Sequence, residues 1–207
     1  MGFKMNRLHK RQVSKKKDMG KEKKIAKAAA RLFGKQGYVQ TSMDQIAIAS
    51  RMSKGGMYYY FQNKIEVLFY ILTYSMDLLL NNINDDLEKL DKAEERLYFI
   101  IRRHIDIFTK NIAESKTLIH ETNSLPQKYR RVILKKERQY FNLVKDVISE
   151  NFEGKIEKVQ LKILTFLLFG QCNLIYSWYD PKGKVGPEEL ADLICRNFLG
   201  AVRARLP

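Results

Sequence analysis

Cysteine is nearly absent from these 207 residues: there are two, Cys172 and Cys195, with no CxxC pair and no Cys/His cluster. That spacing excludes a zinc ribbon or a disulfide scaffold. It predicts two buried free thiols in a reducing compartment, taken as the cytoplasm. Proline is scarce, with four in the chain; Pro126 and Pro187 each stand where a helical pattern begins, a position helices tolerate. Sustained apolar–polar alternation is missing, so no sheet is expected. The longest stretch without charge, Ile163–Tyr179, is 17 residues long and contains Thr165, Gln171, Asn173 and Ser177. It lies at the short limit for a membrane span and reads better as a buried helix. No apolar leader comes after the charged N-terminus, so no targeting segment and no membrane partner are expected. There is no Ser/His/Asp set, Gly-rich phosphate loop or paired-carboxylate site, and no catalytic residue is assigned. His120 and Glu121 are sequence neighbours, which a helix points apart, so no metal site or cofactor is expected either.

Acidic residues are scarce at one end only. Residues 1–64 hold 16 Lys+Arg against 3 Asp+Glu, whereas residues 65–207 hold 22 against 20; the formal net charge of +15 is therefore concentrated in the first third. Such an end attracts a polyanion: DNA, RNA or acidic lipid. Residues 1–20 carry seven Lys/Arg and little apolar content, and are expected to form a disordered basic arm, either lying along phosphates or serving no purpose on DNA.

Beyond residue 20 the apolar spacing is helical throughout. Ile25, Ala28, Ala29, Leu32 and Phe33 fall on one face, and Gly37 suits a left-handed C-terminal cap. Ser42 and Gln45 form an S-x-x-Q capping box opening a second helix, with Ile46, Ala47 and Ala49 inward. A turn at Arg51–Ser53 leads to a third short helix, Lys54 to about Tyr60. Longer patterns then run over 64–90, 93–110, 114–124, 126–150, 156–179 and 187–202, giving nine helices in all. Two short helices around a tight polar turn, the second dense in Ser, Lys, Gly and Tyr, read as a helix-turn-helix suited to a DNA major groove.

Ile25, Ala29, Leu32, Phe33, Gly37, Tyr38, Ile46-Ala47, Ser53-Lys54-Gly55, Tyr58, Phe61, Lys64 and Leu68 agree in type and spacing over about 45 positions. In these residues the chain resembles the TetR family of transcriptional regulators. The resemblance implies an all-α, nine-helix TetR-like fold: a three-helix DNA-binding domain at 21–64 and a ligand-binding and dimerisation bundle at 65–207. Two departures stand out. Arg51 occupies a turn position where the family usually has Gly, and Ile65 stands where it usually has an acidic residue.

On that reading Lys54 reads a base edge, most simply guanine O6/N7. Ser42, Ser53, Tyr58, Tyr59 and Lys64 meet phosphates, with help from Thr41 and Arg51. Gly55 and Gly56 let the backbone come close, while Met57 and Phe61 pack inward. The C-terminal segment with Phe169-Gly170, Asn173, Trp178-Tyr179 and Pro187 looks like the last two helices of the fatty-acid and acyl-CoA-responsive branch. It implies a homodimer through Phe169, Gly170, Asn173, Trp178, Ile194 and Phe198. The implied ligand site holds Ile101, His104, Ile105, Phe108, Leu118 and Tyr140, with Lys136 as the cation for a phosphorylated or carboxylated small molecule. The expected function is a dimeric, non-enzymatic repressor released from a pseudo-palindromic operator on double-stranded DNA by an inducer. The alternatives are a constitutive or architectural DNA binder, an enzyme on a helical scaffold and a membrane-surface protein.

Overall fold

The computed structural model describes residues 2–204, with side chains from Met19 onward. Its first helix, α1, spans Gly2–Gln36. The segment expected to be a disordered arm is thus the first half of a helix. Between Gly2 and Gly20 it contains no Gly or Pro, and its Lys, Arg, Met and Leu are good helix formers. Its side chains lie outside the described residues, and so does any role for them on DNA. Gly37 comes next with φ 89°, its N–H donating to Phe33 O at 2.9 Å, as the expected cap requires.

Helices α2 (Met43–Ala49) and α3 (Lys54–Tyr60) form the rest of the head. Both hydrogen bonds of the Ser42/Gln45 capping box are made. The inward face of α2 differs from expectation at one position: Ile46 and Ala47 are buried, Ala49 is exposed, and Ser50 is buried instead. Ser50 is tolerated there because its hydroxyl donates to the Ile46 carbonyl at 2.7 Å.

Helix α4 (Lys64–Leu80) is capped by Asn63, whose side chain accepts from Glu66 N. Glu66 Oε2 in turn accepts from Gln62 N at 2.8 Å. Glu66 therefore supplies the negative charge of the first turn that Ile65 does not. The long pattern 64–90 breaks at Asn81-Asn82, where Asn82 takes φ 54°, and resumes as α5 (Ile83–Leu87). Helices α6 (Ala93–Lys110) and α7 (Ile112–Glu121) come after it, then a 3-10 turn at Thr122–Ser124 and α8 (Gln127–Glu150). The pattern over 156–179 is divided into α9 (Lys158–Asn173) and α10 (Ile175–Trp178), and α11 (Pro187–Arg203) closes the fold. The nine expected helical patterns are all present, two of them broken, with no strand among the described residues.

Helix α4 is the central strut. It packs on α1, α6, α7 and α8, and its Val67, Leu68, Ile71 and Leu72 are at most 1% exposed. Helix α6 lies along α11. The apolar stretch 158–178, long enough to cross a membrane, is not the buried helix expected: only 28% of an 18-residue apolar window within it is buried. Leu161, Thr165, Leu168 and Cys172 face inward, while Ile163, Phe166, Leu167, Leu174 and Trp178 are exposed. Both cysteines are free and buried, and burial raises both thiols, Cys172 to about 12.

Arg51 sits at φ 54°, the left-handed conformation that the family's glycine would take without strain. An L side chain there costs about 1 kcal/mol. Arg51→Gly is therefore expected to stabilise the fold by up to about 0.5 kcal/mol in thermal melts, after the glycine's extra unfolded-state entropy is subtracted. A lower melting temperature would show that the Arg51 side chain makes a compensating contact.

Candidate nucleic-acid interface

The second short helix, α3, is anchored from below by Met57 and Phe61, 0% and 4% exposed, so its opposite face must look outward. Ser53 caps it, its hydroxyl accepting from Gly56 N at 3.1 Å. A Cβ on Gly56 would come within 3.0 Å of that hydroxyl, so Gly56 makes room for the cap. A Cβ on Gly55 would meet nothing within 4 Å; this glycine leaves open space on the outer surface.

Ser42, Arg51, Ser53, Lys54, Gly55, Tyr58 and Tyr59 form one exposed outer surface of α2, α3 and their turn. Tyr59 is 73% exposed, an unusual position for an aromatic ring in a free chain, and its edge meets Tyr60 at 5.0 Å. Lys54 Nζ lies 3.1 Å from Asp44 Oδ1, with both side chains well exposed. A pair this open is worth at most about 1 kcal/mol and can be exchanged for a phosphate or a base at little cost.

Two expected DNA contacts are placed elsewhere. Thr41 is 2% exposed. Its hydroxyl donates to Gly37 O at 2.8 Å and accepts from Gln36 Nε2 at 3.3 Å, holding the turn between α1 and α2. Lys64 does not reach outward either. Its ammonium donates to the carbonyls of Tyr38, Val39 and Thr41 at 2.6, 3.0 and 2.7 Å, and sits 4.4 Å from the Tyr38 ring centroid. Burial pushes the Lys64 amine below its ordinary value, and Glu121 opposes that shift. All three donors are spent on backbone, so Lys64 is a clamp between α4 and the turn. Val39 and Ile48, neither of them expected at the surface of this domain, are both 78% exposed on it. For Ile48 a signal exists in the sequence: it lies off the inward stripe of its own helix.

The helical bundle holds a cavity of about 590 Å³ between α4, α6, α7, α8 and α9. Of the expected ligand residues, His104, Leu118 and Tyr140 line it. Ile101, Ile105 and Phe108 are at most 1% exposed and pack behind the wall, where Phe108 stacks under His104 at 4.1 Å. Lys136 is not at the cavity: its ammonium is 2.5 Å from Asp77 on α4. Lys136 and Glu137 flank the inward stripe of Ile133 and Tyr140 on opposite sides, and only the Glu137 side opens on the cavity. Glu137 lines it half-buried, its carboxyl raised by burial, and exposed Arg138 is the cation at the rim. Phe169 and Asn173, expected on the dimer face, also line this cavity.

The outer face of α9 is separate. It forms with α11 a groove of about 550 Å³ that includes Ile163, Leu167, Gln171 and Asn197. Phe198 floors this groove at 5% exposure, and Ile194 is half-buried. Gly170 and Trp178 are exposed, and a Cβ on Gly170 would meet nothing. Helix α7 joins the two halves of the molecule. Its Leu118 and Ile119 line the cavity, and its Lys116 donates to the Gly34 carbonyl of α1 at 3.0 Å.

Residues 25–71 match the family described as bacterial regulatory proteins, tetR family, and residues 90–202 match the tetracyclin repressor-like C-terminal domain. The chain belongs to the TetR family. It is thus a DNA-binding transcriptional regulator, and its helix-turn-helix is the family's DNA-binding unit. Its fold is close to that of a TetR-family regulator from Bordetella parapertussis 12822, with a TM-score of 0.83 and 28% identity over 90% of this chain and 97% of that one. It is also close to AibR, solved in complex with isovaleryl coenzyme A and operator DNA. There the TM-score is 0.73 with 31% identity, covering 86% of this chain and 97% of AibR. In sequence it is 24% identical to the fatty acid metabolism regulator protein of Bacillus subtilis, over 70% of this chain and 76% of that protein. For two further Bacillus subtilis HTH-type regulators the matched share of the relative is 60% and 51%.

The clamp and the ion pair make opposite predictions for a TetR-family DNA-binding domain. Lys64→Ala removes charged hydrogen bonds to three carbonyls and is expected to destabilise the fold by roughly 2 kcal/mol in denaturant titrations. A variant as stable as the parent would refute the clamp. Asp44→Asn releases Lys54 and removes a repelling charge. It is expected to raise affinity for arbitrary duplex several-fold and steepen the salt dependence, read by fluorescence anisotropy across a salt series.

Proposed function

We propose that this regulator is a homodimeric repressor that leaves a pseudo-palindromic operator when a small amphipathic molecule occupies the α4–α9 cavity. The observation that carries the reading is the pairing of an outward-facing α3 with an apolar cavity open to solvent in the bundle, connected by α4 and α7. The relatives support it: AibR was solved with both a coenzyme A ester and operator DNA, and a Bacillus subtilis relative is a fatty acid metabolism regulator. An apolar cavity with Arg138 at its rim suits an anionic amphipath such as an acyl-CoA, the chain inside and the phosphates out.

Dimerisation is supported by the exposed apolar face of α9. Ile163 and Leu167 are 53% and 57% exposed beside the α11 groove, a surface that costs free energy in water until a second copy covers it. Two-fold pairing would set two α3 helices about one DNA turn apart. On DNA, Lys54 would read a base while Arg51, Ser42, Ser53, Tyr58 and Tyr59 hold phosphates. The switch rests on linkage: a ligand that prefers the conformation with its reading heads displaced lowers operator affinity by the same factor.

Selecting duplexes from a random pool tests the reading. A palindromic site bound at least a thousand-fold tighter than arbitrary DNA is expected. Equal affinity for all duplexes would favour the architectural alternative, which the basic α1 makes the natural rival. Lys54→Ala is expected to lose about 1–3 kcal/mol of discrimination at one operator position. Leu167→Glu should give a monomer by sedimentation velocity and abolish tight operator binding; a dimeric Leu167→Glu protein would place the interface elsewhere.

A further inference from the structure

Among the described residues two buried side-chain polar atoms lack a hydrogen bond, Thr73 Oγ1 and His104 Nε2. The first belongs to a hydroxyl that can rotate toward its own helix. The second belongs to a ring wedged in place, 3% exposed on the cavity wall. Its other nitrogen, Nδ1, is 3.3 Å from the Tyr140 hydroxyl. Phe108 and Phe169 flank the ring at 4.1 and 6.1 Å. Leaving a buried imidazole nitrogen unpaired costs about 1–3 kcal/mol, and a packed core would normally place an apolar side chain there instead.

Resting on the proposed ligand-responsive reading, we propose that His104, with Asn173 beside it, is the recognition point for an uncharged oxygen, carbonyl or hydroxyl, on the part of the ligand that enters the cavity.

Three observations converge on this class. Tyr140 is 3% exposed and its phenol is pushed up by burial, so it stays protonated and donates to Nδ1, the better acceptor of the two partners. Nε2 then carries the hydrogen and seeks an acceptor. Burial pushes the imidazole down to about 3, so at neutral pH it carries no charge to neutralise an anion; Asn173 draws it only partly back up without completing a hydrogen bond of good geometry. Among the described residues the charged side chains lining the cavity are Glu137 and Arg138 on α8, with exposed Arg138 at the rim. A carboxylate ligand would therefore hold its charge at the rim and leave Nε2 unsatisfied. Nε2 is covered in the free chain, so a ketone, thioester or alcohol oxygen would satisfy it by turning the neighbouring Asn173 carboxamide aside, and that carboxamide can then donate or accept alongside the ligand.

The test uses three probes of one chain length: methyl octyl ketone, decanol and decanoate, titrated into the full chain at neutral pH by calorimetry. The ketone and the alcohol are expected to lose about tenfold in affinity in His104→Phe, whose ring fills the same space. Decanoate should change less than twofold. Equal losses for all three probes would make His104 a packing residue and overturn the proposal, as would an unchanged ketone affinity. Because the variant could fold poorly, the ¹⁵N resonances of the histidine side chains are followed in the unsubstituted protein as well. A shift of the His104 Nε2–H on adding ketone, absent with decanoate, is expected; no shift up to the ketone's solubility limit would sink the assignment. Operator binding and its release are measured separately, so a working repressor with an indifferent His104 would refute this inference alone.

Discussion

One ammonium group fixes the geometry on which the rest depends. Lys64 ties the first turn of α4 to three carbonyls of the turn between α1 and α2. Without that clamp the junction of α4 with the head would rest on apolar contacts, which are non-directional and tolerate sliding, and the head would keep the Lys116–Gly34 hydrogen bond from α7 as a directional tie to the bundle. Hydrogen bonds from one charged group to three carbonyls fix an angle. They also couple the head to α4 rigidly, so a displacement of α4 must be passed on rather than absorbed in a loose joint.

That coupling has a second route. Helix α7 holds α1 through Lys116 while presenting Leu118 and Ile119 to the cavity, and Glu121 at its end acts electrostatically on Lys64 and Tyr38. The cavity and the reading head therefore share two struts. His120 of the same helix meets the Tyr176 hydroxyl of α10 at 2.6 Å, which brings the C-terminal face into contact with the same element. A helix tied to α1 from its middle and to α10 from its C-terminal end, and lined with cavity residues along one side, is mechanically placed to transmit occupancy.

The legible parts of the sequence were those governed by local physics. The Ser42/Gln45 box and the Gly37 cap each depend on a few consecutive residues, and the structure shows both. The inward Met57 and Phe61 are a consequence of helical period. What escaped was decided by partners distant in sequence. Nothing near Lys64 says that carbonyls 23 to 26 positions upstream will take its three donors. Thr41 looks like an exposed helix-start hydroxyl until Gln36 and Gly37 close over it. Lys136, beside the apolar stripe of its basic helix, looks like the cation for the cavity until Asp77 claims it. Phe169 and Asn173 share α9 with the exposed apolar face, and only the packing of α8 decides that they turn inward.

The same contrast bears on how the molecule would discriminate. Its head offers an exposed cation in a weak ion pair, two exposed tyrosine hydroxyls and the exposed Arg51 guanidinium, all side chains that can gain hydrogen bonds or charge pairing from a polyanion. Its cavity offers an unpaired imidazole nitrogen, a group whose free energy improves when a neutral oxygen arrives. Each site is left incomplete in the free chain, and each incompleteness is specific to one chemistry. A chain selected for stability alone would remove both: Gly at position 51 and an apolar residue at 104 are the simplest remedies. Neither remedy is present, and on the proposed function each costly group has a use: the Arg51 guanidinium toward a phosphate and the His104 ring toward a ligand oxygen. On the proposed function, α4 and α7, which pack on α1 of the head and line the cavity, are the elements through which relief at one site would oppose relief at the other.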